Sequence, residues 1–217
     1  MTMMRSLMAA ALLIAAPASA TTLIDGSFEI QGAATPVTDY CYNGFAAGGN
    51  PACAAGAWGP NGGVILSGSG PWGGTTTPDG NFFGFVQGAS IVSQSFTADA
   101  SGPATLSWID NSRVGNPGGG LQTYTVTLIS DVSETLLGTY SVATGGWVSR
   151  STSPFSLTNG ETYTIEFAGL SQGDNTAFID SIALTAGAVP EASTWSMLIA
   201  GFGMIGFAAR RRRAVAA

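Results

Sequence analysis

The chain has no lysine, no histidine and only two cysteines. Without an imidazole or an amine, a hydrolytic triad lacks its usual base and Schiff-base chemistry lacks its nucleophile. Two cysteines with no other soft ligand do not make a zinc site. Between residues 21 and 188 no sustained helical period appears, and no segment repeats. Gly68–Gly73 and Gly201–Gly206 both fit G-x-G-x-x-G. Neither stands between a strand and a helix in a βαβ unit, so neither implies a nucleotide.

Positive charge is equally scarce in the middle of the chain. Arg113 and Arg150 face twelve acidic residues between positions 21 and 188, a net charge of −10 there against −6 for the whole chain. The other five arginines are Arg5 and Arg210–Arg213, at the two ends. A body this acidic repels phosphate backbones, which excludes nucleic acid as a partner, and it favours solubility and divalent cations.

The two ends are what remains apolar or basic. Residues 1–20 carry a cation at Arg5, an apolar stretch from Leu7 to Ala16, and Ala18-Ser19-Ala20. This is the layout of a cleavable secretory signal peptide. At the other end, Ala192–Ala209 is an 18-residue stretch without charge, followed by four arginines. That length is at the lower limit of the roughly 18–20 residues of a membrane-spanning helix. Arginines that follow such a segment stay cytoplasmic, which places the body on the far side of the inner membrane.

Pro190-Glu191, then Trp195, then the apolar stretch and Arg210, Arg211, Arg212 and Arg213 resemble the PEP-CTERM sorting signal of Gram-negative bacteria. The resemblance implies a motif at 189–213 with a transmembrane helix over about 195–209 and a basic stop at 210–213. It implies an exosortase-type sorting protease as partner and only transient residence in the inner membrane. The destination it implies is the cell surface or the extracellular space. Ala192 stands where the family usually has proline, which bears on processing.

Export suits the cysteines. Cys41 and Cys53 lie twelve positions apart, and in an oxidising compartment a lone pair reads as one disulfide. Closing a loop of that size contributes about 3 kcal/mol in the chain-entropy account.

The body, residues 21–188, reads as one all-β domain. In 162–168 Tyr163, Ile165 and Phe167 alternate with Thr164 and Glu166, and in 122–129 Tyr124, Val126 and Leu128 alternate with threonines. Period-two alternation marks strands with one buried face. Further runs are expected at 22–30, 64–66, 82–87, 91–97, 104–109, 136–142, 147–151 and 177–185. About ten short strands with Gly, Pro, Asn and Ser between them predict an antiparallel β-sandwich, a jelly roll. Residues 32–78 read as long loops with one or two strands.

Leu23-Ile24-Asp25-Gly26-Ser27-Phe28-Glu29 and Ala177-Phe178-Ile179-Asp180-Ser181-Ile182-Ala183-Leu184 resemble the first and last strands of galactose-binding-like jelly rolls, including many carbohydrate-binding modules. The resemblance implies that these strands lie side by side. It also implies a structural Ca²⁺ held by Glu29 and Asp180, with Asp25 third; a handful of oxygens, many from backbone, suffices for such an ion. Leu106–Arg113, Gln122-Thr123-Tyr124, Leu137–Tyr140, Trp147 and Gly173–Phe178 are together similar to the extracellular domain of many PEP-CTERM proteins.

Sugar recognition needs an aromatic face and fixed polar groups. Trp58, Trp72, Asn111, Arg113 and Trp147 are the ligand-binding candidates; Tyr40, Tyr42 and Asn43 also lie near loops. The competing readings are core packing for the tryptophans and, for Arg113, a brace to Asp110 three residues away. Trp108 shares a face with Leu106 and belongs to the core. A carboxylate pair of the glycosidase kind, about 5–10 Å apart, is the one catalytic option left, and no local pattern marks it. The expectation is therefore a non-catalytic surface or matrix protein, a partner of exopolysaccharide in a biofilm matrix. A structural matrix protein without specific ligand is the first alternative, and a carboxylate-only glycoside-active enzyme the second.

Overall fold

The structure, a computed structural model, describes residues 23–35, 39–115, 121–186 and 197–205. Residues 1–20, expected to be a signal peptide, lie outside the described residues, as do Pro190, Glu191, Trp195 and the four terminal arginines. Residues 197–205 are helical, and no helix among the described residues is long and apolar enough to cross a membrane.

The described residues between 23 and 186 form a two-sheet antiparallel sandwich. In chain order the elements are helix α1 (Glu29–Ala34) and strands β1 (Tyr40–Tyr42), β2 (Gly59–Pro60), β3 (Gly63–Leu66), β4 (Phe82–Gln87), β5 (Ile91–Thr97), β6 (Gly102–Ser112), β7 (Thr123–Ser130), β8 (Glu134–Ser141), β9 (Val148–Ser151), β10 (Phe155–Leu157), β11 (Thr162–Gly169) and β12 (Thr176–Ala186). One sheet runs β1-β3-β4-β12-β6-β10 with β9 also against β6; the other runs β2-β5-β11-β7-β8. Each expected run from 82 onward becomes a strand to within a few residues.

Alternation works as it should for a sheet covered on one face. Tyr163, Ile165 and Phe167 on β11 and Tyr124, Val126 and Leu128 on β7 point inward and are buried, together with Leu106, Trp108, Ala177 and Ile179 from the opposite sheet. Trp108 is in the core, as its strand face required. The seven-stranded sheet is also apolar on its outer face. Ile65, Phe83, Phe85 and Phe178 lie there under Trp72, flanked by Tyr40, Tyr42 and Trp147. This second cluster makes the aromatic floor of the candidate site.

Two expectations fail in the first segment. The run 22–30 does not become a strand, and a six-residue helix follows where no helical period was visible. The cause is local. Both carboxylate oxygens of Asp25 accept backbone N–H bonds, from Ile30 and Gln31 at 2.9 Å each, so the side chain offers these amides a partner that competes with a ladder. Asp25 (φ 54°) and Phe28 (φ 61°) take left-handed backbone, which interrupts regular strand pairing. The first segment still lies beside β12, through one bond from Ile182 N–H to the Gly26 carbonyl at 2.9 Å. Phe28 drops into the sandwich over Gly84; a β-carbon at Gly84 would overlap its ring.

Residues 39–66 hold three strands, β1 to β3, in a region read as mostly loop. The expected disulfide is there: Cys41 and Cys53 are bonded, and Cys41 is fully buried. Strands of two to four residues give too short an alternation to be read from sequence.

Candidate functional site: an aromatic groove on the outer face of the larger sheet

The loop from β3 to β4 turns back over the outer face. Its 3₁₀ turn, Gly70–Trp72, drops the Trp72 ring onto Phe85 and Tyr40, with centroids 4.6 and 5.3 Å apart. Gly73 and Gly74 follow with φ of 81° and 67°, conformations that glycine adopts at no steric cost. Beside them opens a groove of about 360 Å³ lined by Gly73, Gly74, Thr75, Thr76, Asn111, Val114, Gly145, Gly146 and Trp147. Trp147 is partly exposed. Its indole N–H donates to the Thr76 carbonyl at 2.8 Å, and its ring meets the edge of Phe83. A ring fixed on two sides presents its remaining surface without further ordering.

A second, smaller cleft of about 150 Å³ is lined by Tyr40, Tyr42, Pro71, Trp72, Gln87, Arg113 and Asp174. Here a chain of polar groups is closed on itself. The Tyr42 hydroxyl donates to Gln87 Oε1 at 2.9 Å, and Gln87 Nε2 donates to Asp174. Asp174 pairs with Arg113 at 2.9 Å, and Arg113 also donates to the Pro71 carbonyl at 2.7 Å. The guanidinium lies 4.4 Å from the Trp72 ring centroid, a cation–π contact. Burial foremost raises the Tyr42 pKa above the usual phenol value.

The sequence candidates therefore separate. Asn111 and Trp147 both line the groove, Asn111 from a buried position with its Oδ1 already accepting from Ser112 N–H, and Arg113 lies in the neighbouring cleft. Trp58 and Trp72 are only 2% and 3% exposed, so neither offers a free ring face; Trp58 packs between Phe28 and Phe167. The brace expected between Arg113 and Asp110 is absent. Arg113 pairs with Asp174, and Asp110 pairs with Arg150 at 2.9 Å. The reason is the pleat. Asp110 follows Leu106 and Trp108 on the inward face of β6, while Asn111 faces outward. Gln87 escaped notice, although the Phe83, Phe85, Gln87 alternation puts it on the same face as the groove.

Asp110 is fully buried. Its Oδ2 accepts from Tyr124 at 2.6 Å and from Arg150, and the Tyr124 hydroxyl accepts from the Trp108 indole at 2.8 Å. Its Oδ1 has no hydrogen-bond partner among the described residues. Burial first, then the Asp110 charge, hold the Tyr124 pKa above the usual phenol value.

The calcium candidates also divide. Asp25 is occupied in capping α1. Glu29 Oε1 accepts from the backbone of Asn81 at 2.8 Å and Phe82 at 2.7 Å. Asp180 is fully buried on the outer face of β12, bonded to the Thr77 hydroxyl and to Ser181 N–H. Asp79 accepts from the Ser181 hydroxyl at 2.8 Å. Burial above all, with Asp79 and Glu29 adding repulsion against the Thr77 and Ser181 bonds, pushes the Asp180 pKa up to about 7. Among the described residues no three His, Cys, Asp or Glu side chains converge closely enough to hold a metal by themselves. An ion here would need Thr77 or backbone oxygens as well.

Comparison with known proteins adds the C-terminal assignment. Residues 188–213 match the PEP-CTERM protein-sorting motif. A PEP-CTERM motif implies an exported cell-surface protein processed by an exosortase. No curated protein matches the chain. Among solved structures, the body is similar to a cyclase from Fischerella sp. TAU, at 14% identity and TM-score 0.54 over 80% of this chain and 100% of that one. A Stig cyclase, Fisc, from the same organism matches at 17% identity and TM-score 0.52, over 79% and 100%. The CBM22-1 xylan-binding domain of Paenibacillus barcinonensis Xyn10C matches at 11% identity and TM-score 0.49, over 81% and 100%. At these identities the cyclase likenesses concern the fold alone. The PEP-CTERM motif starts two residues after β12 ends at Ala186.

Proposed function

We propose that this is a non-catalytic, exosortase-sorted surface protein that binds exopolysaccharide through the groove at Trp147. The observation that carries the reading is the fixed, partly exposed Trp147 ring beside Asn111 on an open groove. An apolar ring face with polar groups at its rim is what a pyranose requires. The non-catalytic part rests on residue types. The groove lining holds no acid, and the neighbouring cleft holds one, Asp174, tied to Arg113. Paired-carboxylate hydrolysis needs two acids flanking the sugar.

The test is a glycan array with the exported protein and Trp147→Ala. A central aromatic anchor contributes about 2 kcal/mol or more, so the substitution is expected to weaken binding roughly thirtyfold while the protein still folds, with about 1–2 kcal/mol of stability lost from the Phe83 and Thr76 contacts. A flat array from a folded protein would favour a purely structural matrix role. Release of reducing sugar from native exopolysaccharide would overturn the non-catalytic reading. For the tail, the expected mature product lacks Arg210–Arg213; mass spectrometry that finds them in the exported form would reject proteolytic sorting.

A structural Ca²⁺ at Glu29 and Asp180, completed by Thr77 and backbone oxygens because among the described residues no third acidic side chain converges with them, belongs to the same proposal. Asp180 is a buried carboxyl among acids, with both body arginines committed elsewhere. Only a proton or a cation neutralises such a group. When bound, calcium would supply that charge and tie α1, the 77–81 loop and β12 together. Chelation is expected to lower the Tm, and Asp180→Asn to remove the response. If chelator leaves the curve unchanged and Asp180→Asn is as stable as the parent, a proton suffices and calcium is excluded.

A further inference from the structure

We infer that the polymer this groove takes is uncharged, and that the acidic body is what rejects chains bearing uronate or sulfate. The inference rests on the carbohydrate-binding reading above and names its ligand class. An anionic glycan is held by free cations or by unused N–H donors. With no lysine or histidine in the chain, the body's candidates are two arginines, and each is already paired with an acid. Arg113 gives NH1 to Asp174 and NH2 to the Pro71 carbonyl, and stacks on Trp72. Arg150 gives Nε to Asp110 and NH2 to the Ser141 carbonyl. The groove lining carries no charged side chain of either sign. Its glycine turn does not stand in for a cation, because the Gly73 and Gly74 amides already donate to Gly70 and Ser69.

Acids border the groove instead. On one side Thr77, next to the lining residue Thr76, holds Asp180, with Asp79 and Glu29 nearby, acids that repel a glycan carboxylate when no calcium is bound to them. On the other side, past Trp72, Asp174 and Arg113 neutralise each other and offer no free cation. Screening at physiological salt leaves a Debye length of about 8 Å, so a carboxylate every sugar or two along a bound chain would feel these groups. A neutral polyol meets no such penalty and finds hydroxyl-compatible partners in Asn111, Thr75, Thr76 and the polar cleft around Gln87. Like-charge juxtaposition is an effective means of discrimination between chains that share a backbone shape.

The experiment uses the exported protein and two sets of polymers. One set is a neutral glucan, galactan and mannan, each beside its C6-carboxylated derivative. The other is native exopolysaccharide separated by anion exchange into neutral and acidic fractions. Binding is read at 20 and 150 mM salt, with and without calcium. Neutral polymer is expected to bind with no salt dependence, and its carboxylated form about tenfold more weakly or worse at 20 mM salt, the gap narrowing as screening increases. Carboxylated or acidic polymer bound as tightly as its neutral counterpart without calcium overturns the inference while leaving carbohydrate binding standing. Binding to none of the polymers removes both.

Discussion

Replacing Arg150 with alanine is expected to lower the unfolding free energy by about 3–5 kcal/mol, the usual cost of stranding one partner of a buried ion pair. Arg150 is the one cation bonded to Asp110, which is fully buried. Its loss leaves a carboxylate inside the sandwich with the Tyr124 hydroxyl as the only remaining donor to Oδ2 and no partner on Oδ1. For a body of this size, a few degrees per kcal/mol makes the fall in Tm roughly 10 °C. The double variant Arg150→Met with Asp110→Leu is expected to recover most of the loss, since an apolar pair of similar volume often matches a buried ion pair. A loss under about 1 kcal/mol for the single change, read by denaturant unfolding, would show that Asp110 does not depend on the guanidinium.

The second large effect concerns Phe28. Its ring is 1% exposed, packs against Trp58 and fills the space above Gly84. Phe28→Ala is expected to cost about 3–5 kcal/mol from lost burial plus the cavity left behind. Gly84→Ala alone is also destabilising, because its methyl group meets that ring. The two changes are not expected to add. In the Phe28→Ala background the new methyl enters the vacated space, so Gly84→Ala becomes neutral or stabilising there. Additive losses in chemical unfolding would mean that the two residues do not share a site.

What was legible in the sequence follows from element length. β11 and β7, at eight residues each, carry enough alternation to fix both their state and their inward face. β1, β2 and β10 span three residues or fewer and exist because longer neighbours offer them open edges, a tertiary cause invisible to local pattern. The first segment was misread because Leu23, Ile24, Phe28 and Ile30 look like a strand, while the capping by Asp25 that prevents one depends on backbone turns. In the site, Trp147 and Asn111 could be named from residue type. That Trp72 is a floor and not a platform could not, because the outer aromatic cluster forms only when the β3–β4 loop folds over it. The Arg113 partner was misplaced for a related reason: three residues is near in sequence, yet on a pleated strand it reverses the face.

The exit of the chain from the sandwich has a mechanical consequence. The last body strand, β12, is not at an edge; it lies between β4 and β6 and is laced to both. Tension on the C-terminal tail enters through residues 183–186, which are paired with β6 alone, and reaches the β4 rungs at 176–179 only beyond the irregularity between Asp180 and Ala183. A pull on the tail therefore tests the β6 ladder first, and the rungs to β4 hold the strand in place behind it.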